Sequence, residues 1–132
     1  MNLPEKGGRN MRILVVDDDA MAGEMTGAVL EDAGHDVVLV ENGIDATEAL
    51  SENGPFDLVV SDMNMPLVSG IDLFRNLRDQ GEAIPFILLT GDEPGPLLAE
   101  EPRLDGCLTK DFTLETSLMD AIAATLAKHG KV

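Results

Sequence analysis

Five polar residues stand where apolar runs stop. Asp17 and Asp18 follow Ile13-Leu14-Val15-Val16, Asp62 follows Leu58-Val59-Val60-Ser61, Thr90 follows Phe86-Ile87-Leu88-Leu89, and Lys110 follows Cys107-Leu108-Thr109. Three carboxylates held close together repel unless a cation sits among them or some carry protons. Mg²⁺ suits such a group, because it takes hard oxygen ligands, keeps several waters and commonly binds through a few carboxylates plus phosphate oxygens. One carboxylate can then attack a phosphoryl donor and form an acyl phosphate. A metal and a lysine neutralise the charge that spreads over the phosphoryl oxygens. Lys110 supplies the lysine, and the Thr90 hydroxyl can donate to another oxygen. Taken singly, acids at a strand-to-helix junction are caps or turn residues. Thr90 alone would be a turn residue and Lys110 alone a solvated lysine, so the signal lies in the combination.

The elements that must position these residues are legible in the spacing. Continuous apolar runs rich in β-branched residues mark strands buried on both faces of a parallel sheet. Strands are predicted over Arg12–Val16, Asp36–Glu41, Asp57–Ser61, Pro85–Leu89 and Leu104–Thr109. A first helix is predicted over Ala20–Ala33, capped by Asp19 or Asp18, with Met21, Met25, Ala28, Val29 and Ala33 inward and Gly34 as its stop. A second over Ile44–Glu52 turns Ala46, Ala49 and Leu50 inward, and a third over Gly70–Asp79 turns in Ile71, Phe74 and Leu77. A last helix runs from its cap Thr113 to about Lys128, with Leu114, Leu118, Ala121, Ile122, Thr125 and Leu126 inward. Proline breaks helix interiors. With Pro94, Pro96 and Pro102 before the fifth strand, at most Leu97–Glu101 forms a turn, and the fourth helix is short or irregular.

Strands alternating with helices predict right-handed βαβ units. The fold class is α/β, a flavodoxin-like doubly wound (βα)5 domain with a five-stranded parallel sheet in the order 2-1-3-4-5. Its ligand crevice lies at the carboxyl ends of the strands, at the switch point between the first and third, where Asp17, Asp18 and Asp62 converge. Residues 1–10 read as a flexible leader, 11–129 as the single domain and 130–132 as a tail. No repeat, linker or second domain is discernible.

Composition narrows the functional classes. With 25 acids against 9 bases and a net charge of −16, the chain has no basic cluster for direct nucleic-acid binding. The acidity favours a partner with a basic face or a bound cation, and in bulk it also serves solubility. No apolar run approaches membrane-spanning length, and the first ten residues lack a signal-peptide core, so a cytoplasmic location is the default. Cys107 is the single cysteine, which excludes an internal disulfide and marks a small apolar core residue. His35 and His129 are too far apart for a zinc cluster, and His35, in a Gly-His-Asp turn, is expected to face solvent.

Over about Arg12–Lys128 the chain resembles the receiver domains of two-component response regulators, the CheY-like family. The resemblance is carried by Ile13-Leu14-Val15-Val16-Asp17-Asp18, by Ser61-Asp62-Met63-Asn64-Met65-Pro66 with Gly70 after it, by Thr90-Gly91 and by Lys110-Asp111-Phe112. It implies that Asp62 is the phosphoacceptor, that Asp17 and Asp18 serve Mg²⁺ directly or through water, and that the Asn64 backbone carbonyl is a further ligand. It implies Thr90 as the switch hydroxyl and Lys110 as the phosphate counter-ion. The donor would be a histidine kinase or a histidine phosphotransfer protein. The acyl phosphate would be hydrolysed by the domain itself, and the output would be a change in binding to a downstream protein, with a homodimer on phosphorylation as one form.

Three departures from the family pattern stand out. Asp111 replaces the usual proline after the lysine; a non-proline cis bond costs about 3–4 kcal/mol, so a trans bond is predicted, with Asp111 a competitor for the charge of Lys110. Cys107 stands at the position of the usual aromatic switch. The prolines before the fifth strand alter the fourth helix. A stand-alone phosphorylatable receiver is the leading reading, with a phosphate sink as its variant. A pseudo-receiver that binds partners without taking phosphate is the second class. A haloacid-dehalogenase-type phosphohydrolase would want a second acid two positions after the nucleophile, where Asn64 stands.

Overall fold

The chain runs β1 (Arg12–Val16), α1 (Ala20–Asp32), β2 (Asp36–Val40), α2 (Gly43–Glu52), β3 (Leu58–Asp62), α3 (Gly70–Asp79), β4 (Phe86–Thr90), α4 (Pro94–Glu100), β5 (Gly106–Thr109) and α5 (Leu114–Lys128). The structure, a computed structural model, describes residues 11–128. The expected leader over 1–10, the side chain of Leu126, residue 129 and the expected tail over 130–132 lie outside the described residues. Every strand pairing is parallel, and the sheet order is β2-β1-β3-β4-β5, as the alternation predicts.

The sheet sorts its side chains by alternation. Leu14, Val16, Val59, Phe86 and Leu88 face Ala46 and Ala49 of α2 and Ile71, Phe74 and Leu77 of α3. Ile13, Val15, Leu58, Val60, Ile87 and Leu89 face Leu30 of α1 and Leu118 and Ile122 of α5. β3 and β4 are buried at every position, which is why each reads as an apolar run up to its polar carboxyl end. Each fully buried Leu, Ile or Phe contributes roughly 1.5–3 kcal/mol. Cys107 sits in the first of these cores, and burial pushes its thiol up from the ordinary value.

Helix α1 departs from the expected face. Met21 and Met25 are 73% and 66% exposed, and the buried stripe is Gly23, Thr26, Gly27 and Leu30. Strand β2 explains this: a Cβ on Gly23 would stand 2.7 Å from Leu39 Cδ1, and one on Gly27 would stand 3.4 Å from Val37 Cγ1. The helix lies so close to β2 that small residues must face it. Asp19 caps α1 through the Met21 and Ala22 N–H groups, and Gly34, at φ 98°, ends it as predicted.

Two further expectations are corrected. Helix α4 starts at Pro94, earlier than Leu97, because Pro94 and Pro96 fall in its first turn, where the N–H groups have no intrahelical partner. It remains short, at seven residues. His35 is half-buried: its Nδ1 accepts the Met11 N–H at 3.0 Å, and burial lowers its pKa.

The C-terminal end of α4 carries a tight polar cluster. Glu101 is buried, and its carboxylate takes Arg103 Nε at 2.7 Å, Arg103 Nη2 at 3.0 Å and Arg75 Nε at 3.2 Å. The Arg103 bonds lower its pKa most, burial opposes them and Arg75 adds to them, leaving Glu101 at about 2 against an ordinary 4.5. A depressed carboxyl stabilises the fold fully above its unfolded pKa and loses that contribution as pH falls through the folded one. The Glu101 contribution should therefore disappear between pH 4.5 and about 2. Carboxyl-detected NMR should place its midpoint near 2, and Arg103→Ala should move it toward 4.5. A wild-type midpoint near 4.5 would show that the cluster does not hold in solution.

Candidate functional site

The register of the sheet brings the site residues into one row. Val16 pairs with Ser61, Asp62 with Leu89 and Thr90 with Thr109, so the ends of β1, β3, β4 and β5 are level. Asp17 leaves β1 as Asp62 closes β3, Thr90 closes β4 and Lys110 leaves β5. The Met63 N–H donates to Leu89 O at 2.7 Å, and the Lys110 N–H donates to Thr90 O at 2.7 Å, tying the ends of β3, β4 and β5 together. Gly70 lets α3 start against this row: its N–H donates to Met63 O at 2.8 Å, and a Cβ there would lie 2.3 Å from Asp62 O.

Carboxylate oxygens of Asp17, Asp18 and Asp62 all lie within 4.8 Å of one another. Asp17 and Asp62 are buried and Asp18 is exposed. Lys110 Nζ bridges the two buried acids, at 3.2 Å from Asp17 Oδ2 and 3.3 Å from Asp62 Oδ1. Burial raises the pKa of Asp62, Lys110 pulls it down, Asp17 pushes it up, and the outcome is a raised value. Burial works to lower Lys110, but Asp17 and Asp62 outweigh it and hold it above the ordinary value. One ammonium thus faces two buried carboxylates with a third beside them. These hard oxygens with excess negative charge fit a divalent cation such as Mg²⁺.

The remaining predicted residues fall around this centre. Thr90 is fully buried, and its hydroxyl oxygen accepts the Asp92 N–H at 3.1 Å. Asn64 is exposed, and its backbone N–H donates to the Asp62 carboxylate. The Lys110–Asp111 bond is trans, since Gly54–Pro55 is the one cis peptide among the described residues. Asp111 does not take the charge of Lys110: its Oδ1 accepts the Thr113 N–H at 2.9 Å and hydroxyl at 2.6 Å.

Sequence reasoning missed an apolar rim. Beside Lys110 a groove of about 300 Å³ is lined by Met25, Val29, Phe112, Leu114 and Leu118. Phe112 is 98% exposed. The signal was present in the helical spacing of the methionines, but spacing alone does not say whether an apolar stripe is core or rim.

Comparison with known proteins bears on this geometry. The response regulator receiver domain family is matched over residues 13–123. The response regulator protein PmrA of Pseudomonas aeruginosa is 40% identical over 107 residues, covering 80% of this chain and 48% of its own length. A probable transcriptional regulatory protein of Picosynechococcus is 38% identical over 111 residues, covering 78% of this chain and 44% of its own. The chain therefore spans about half the length of these curated relatives. Among solved structures, the response regulator TrrA of Thermotoga maritima in complex with Mg²⁺-BeF is 27% identical with a TM-score of 0.76, covering 86% of this chain and 98% of its own. No helix among the described residues is long and apolar enough to cross a membrane.

Proposed function

We propose a function that proceeds from one premise: this chain belongs to the response regulator receiver domain family of two-component signalling. On our reading, residues 11–129 form a cytoplasmic receiver in which Asp62 accepts a phosphoryl group from a histidine kinase or a histidine phosphotransfer protein. The observation that carries this is the position of Asp62, at a strand end with two further carboxylates within 4.8 Å and the Lys110 ammonium at 3.3 Å.

An Asp62 carboxylate oxygen attacks phosphorus as the bond to the donor imidazole nitrogen breaks, and the freed imidazole takes up a proton. Asp17, Asp18, Asp62 and the Asn64 carbonyl would hold Mg²⁺, whose part is to offset charge on the phosphoryl oxygens. Lys110 meets one phosphoryl oxygen. Thr90 gives up the Asp92 N–H and turns its hydroxyl toward another. The apolar rim beside Lys110 offers the donor protein a place to rest. Hydrolysis of the acyl phosphate on the same site resets the switch, so the domain acts chemically only on itself.

Phosphorylation replaces the single charge of Asp62 with nearly two and adds strong acceptor oxygens, beside the two other acids of the centre. Conformers separated by a few kcal/mol suffice for a switch. The output is an altered affinity for a downstream protein or a second copy of the chain. The phosphate-sink variant draws support from Cys107, packed in the core where a movable ring would otherwise carry the signal.

Intact-mass spectrometry after acetyl phosphate with Mg²⁺ tests the reading. One phosphoryl adduct is expected, absent in Asp62→Asn and absent with EDTA. A folded chain that takes no phosphoryl group would instead be a pseudo-receiver, and an adduct that survives Asp62→Asn would assign the wrong nucleophile.

A further inference from the structure

An apolar groove runs between α2 and α3, on the side of the sheet away from α1 and α5. It is about 460 Å³ in volume and is walled by Ile44, Thr47, Ser51, Val68, Leu73 and Asn76. A Cβ on Gly43 would stand 3.2 Å from Val68 Cγ1, so the first turn of α2 is seated on the loop before α3. Past that contact the short side chains of Thr47, Ser51 and Asn76 line the gap and do not close it. Leu73 is buried, whereas Ile44 is 60% exposed. An exposed isoleucine beside an open apolar groove is a surface that a partner can cover.

Charge complementarity says what chemistry fits. Glu48 and Glu52 line the groove, Asp45 precedes them by one turn, and all three are exposed. From Ile13 to Phe74 the sequence contains no lysine or arginine. Glu48 and Glu52, four apart on one helix, repel. Glu52 also ends α2, where the helix dipole disfavours an acid. Among the described residues no ion pair reaches any of the three. Arg12, which comes to this end of α2, is taken by Asn53 O, Pro55 O, Asp36 and the Phe56 ring. The spacing also selects a shape. From Asp45 to Glu52 is about 10.5 Å along the helix axis. Bases two turns apart on a second helix, at about 10.8 Å, match it, whereas same-face residues of a strand fall at about 6.7 or 13.4 Å.

We propose that the groove between α2 and α3 docks a cationic amphipathic helix of a partner protein. Its apolar face rests on Ile44, Val68 and Leu73, and its lysines or arginines run along Asp45, Glu48 and Glu52. The partner's bases relieve a repulsion that the chain does not offset within itself, and the apolar face gives the contact its place. A second copy of the chain lacks this chemistry. Among the described residues every lysine and arginine is already paired with a carboxylate, except Arg78, which donates to Glu82 O and lies over the Phe74 ring. The docking requires no phosphoryl group on Asp62, so it stands independently of that reading.

Amide NMR of the full chain with a synthetic helical peptide tests the docking. The probe has about 14 residues, enough to hold its own turns, with leucines on one face flanked by lysines. It should shift amides over 43–52 and 68–76, and the same peptide with glutamate for lysine should shift none. Ile44→Ser, and separately Glu48→Gln with Glu52→Gln, should weaken binding by about tenfold, the scale of one apolar side chain or of two rim charges. These side chains are exposed, so the fold should survive, and urea midpoints check that. Glu31→Gln with Asp32→Asn removes the same charge from the end of α1, across the sheet, and should change binding by less than about twofold. Equal weakening by that pair would assign the binding to net charge. Shifts centred on Met25 and Phe112 would give the peptide to the rim beside Lys110. Self-association that Ile44→Ser abolishes would give the groove to a second copy. Amides over 43–52 that move in Lys6→Gln with Arg9→Gln before any peptide is added would give it to residues 1–10. Each of these results, or no shift with the lysine peptide, would overturn the proposal.

Discussion

Gly70→Ala should destabilise the fold by about 3 kcal/mol, the upper part of the range for forcing extra atoms into a packed site. In an ordinary helix the same change stabilises by about 1 kcal/mol. Here the new methyl would meet Asp62 O at 2.3 Å, Leu88 Cδ1 at 2.6 Å and Met63 Cα at 3.0 Å. Two of these are backbone atoms at the end of β3, which the sheet register holds between Leu89 and the rest of the row. Relief requires α3 to lift from the strand, breaking the Gly70 N–H bond to Met63 O and shifting Asp62. Gly95→Ala is the matched control: it lies inside α4, its Cβ would meet nothing within 4 Å, and a gain of about 0.5–1 kcal/mol is expected. Urea unfolding of the two variants decides the matter through midpoints at unchanged slope. If Gly70→Ala proved as stable as the wild type, the close seating of α3 on β3 would be wrong.

The row of candidate residues was legible in the sequence for the same reason that the sheet was. A strand covered on both faces must be apolar throughout, so the first polar residue after it stands out and marks the carboxyl end, where the crevice lies. Asp17, Asp62, Thr90 and Lys110 were found in this way, and the level register in the structure is what turns four separate run endings into one row. What could not be read depended on neighbours far along the chain. Met21 and Met25 have the spacing of a core face, but the space under α1 is set by Leu39 and Val37 of β2, which admit only small residues. The prolines of α4 are breakers in a helix interior and harmless in a first turn, and composition does not say which they are. The Arg75–Glu101 pair joins residues 26 apart, a separation that no local periodicity reports.

Lys110→Ala should act in opposite directions on metal and phosphoryl binding. Lys110 Nζ now stands 3.2 Å from Asp17 and 3.3 Å from Asp62, so it occupies the negative field that a divalent cation would use. Removing it leaves three neighbouring carboxylates without a compensating side chain, and their repulsion is relieved by a bound cation. Mg²⁺ affinity should therefore rise by about tenfold, since one like charge removed at this range is worth more than about 1.4 kcal/mol at an effective dielectric near 20. Phosphoryl incorporation at Asp62 should fall by about 10²–10³, the usual effect of losing one group aimed at developing charge on transferring oxygens. The two measurements are independent: calorimetric Mg²⁺ titration of the unphosphorylated chain, and the time course of the acetyl phosphate adduct at saturating Mg²⁺. A lysine that served only to hold the strand ends together would weaken both or neither. Tighter metal binding with slower phosphorylation is the pattern of an ammonium that keeps the crevice partly neutral at rest and is released to the phosphoryl group when it arrives.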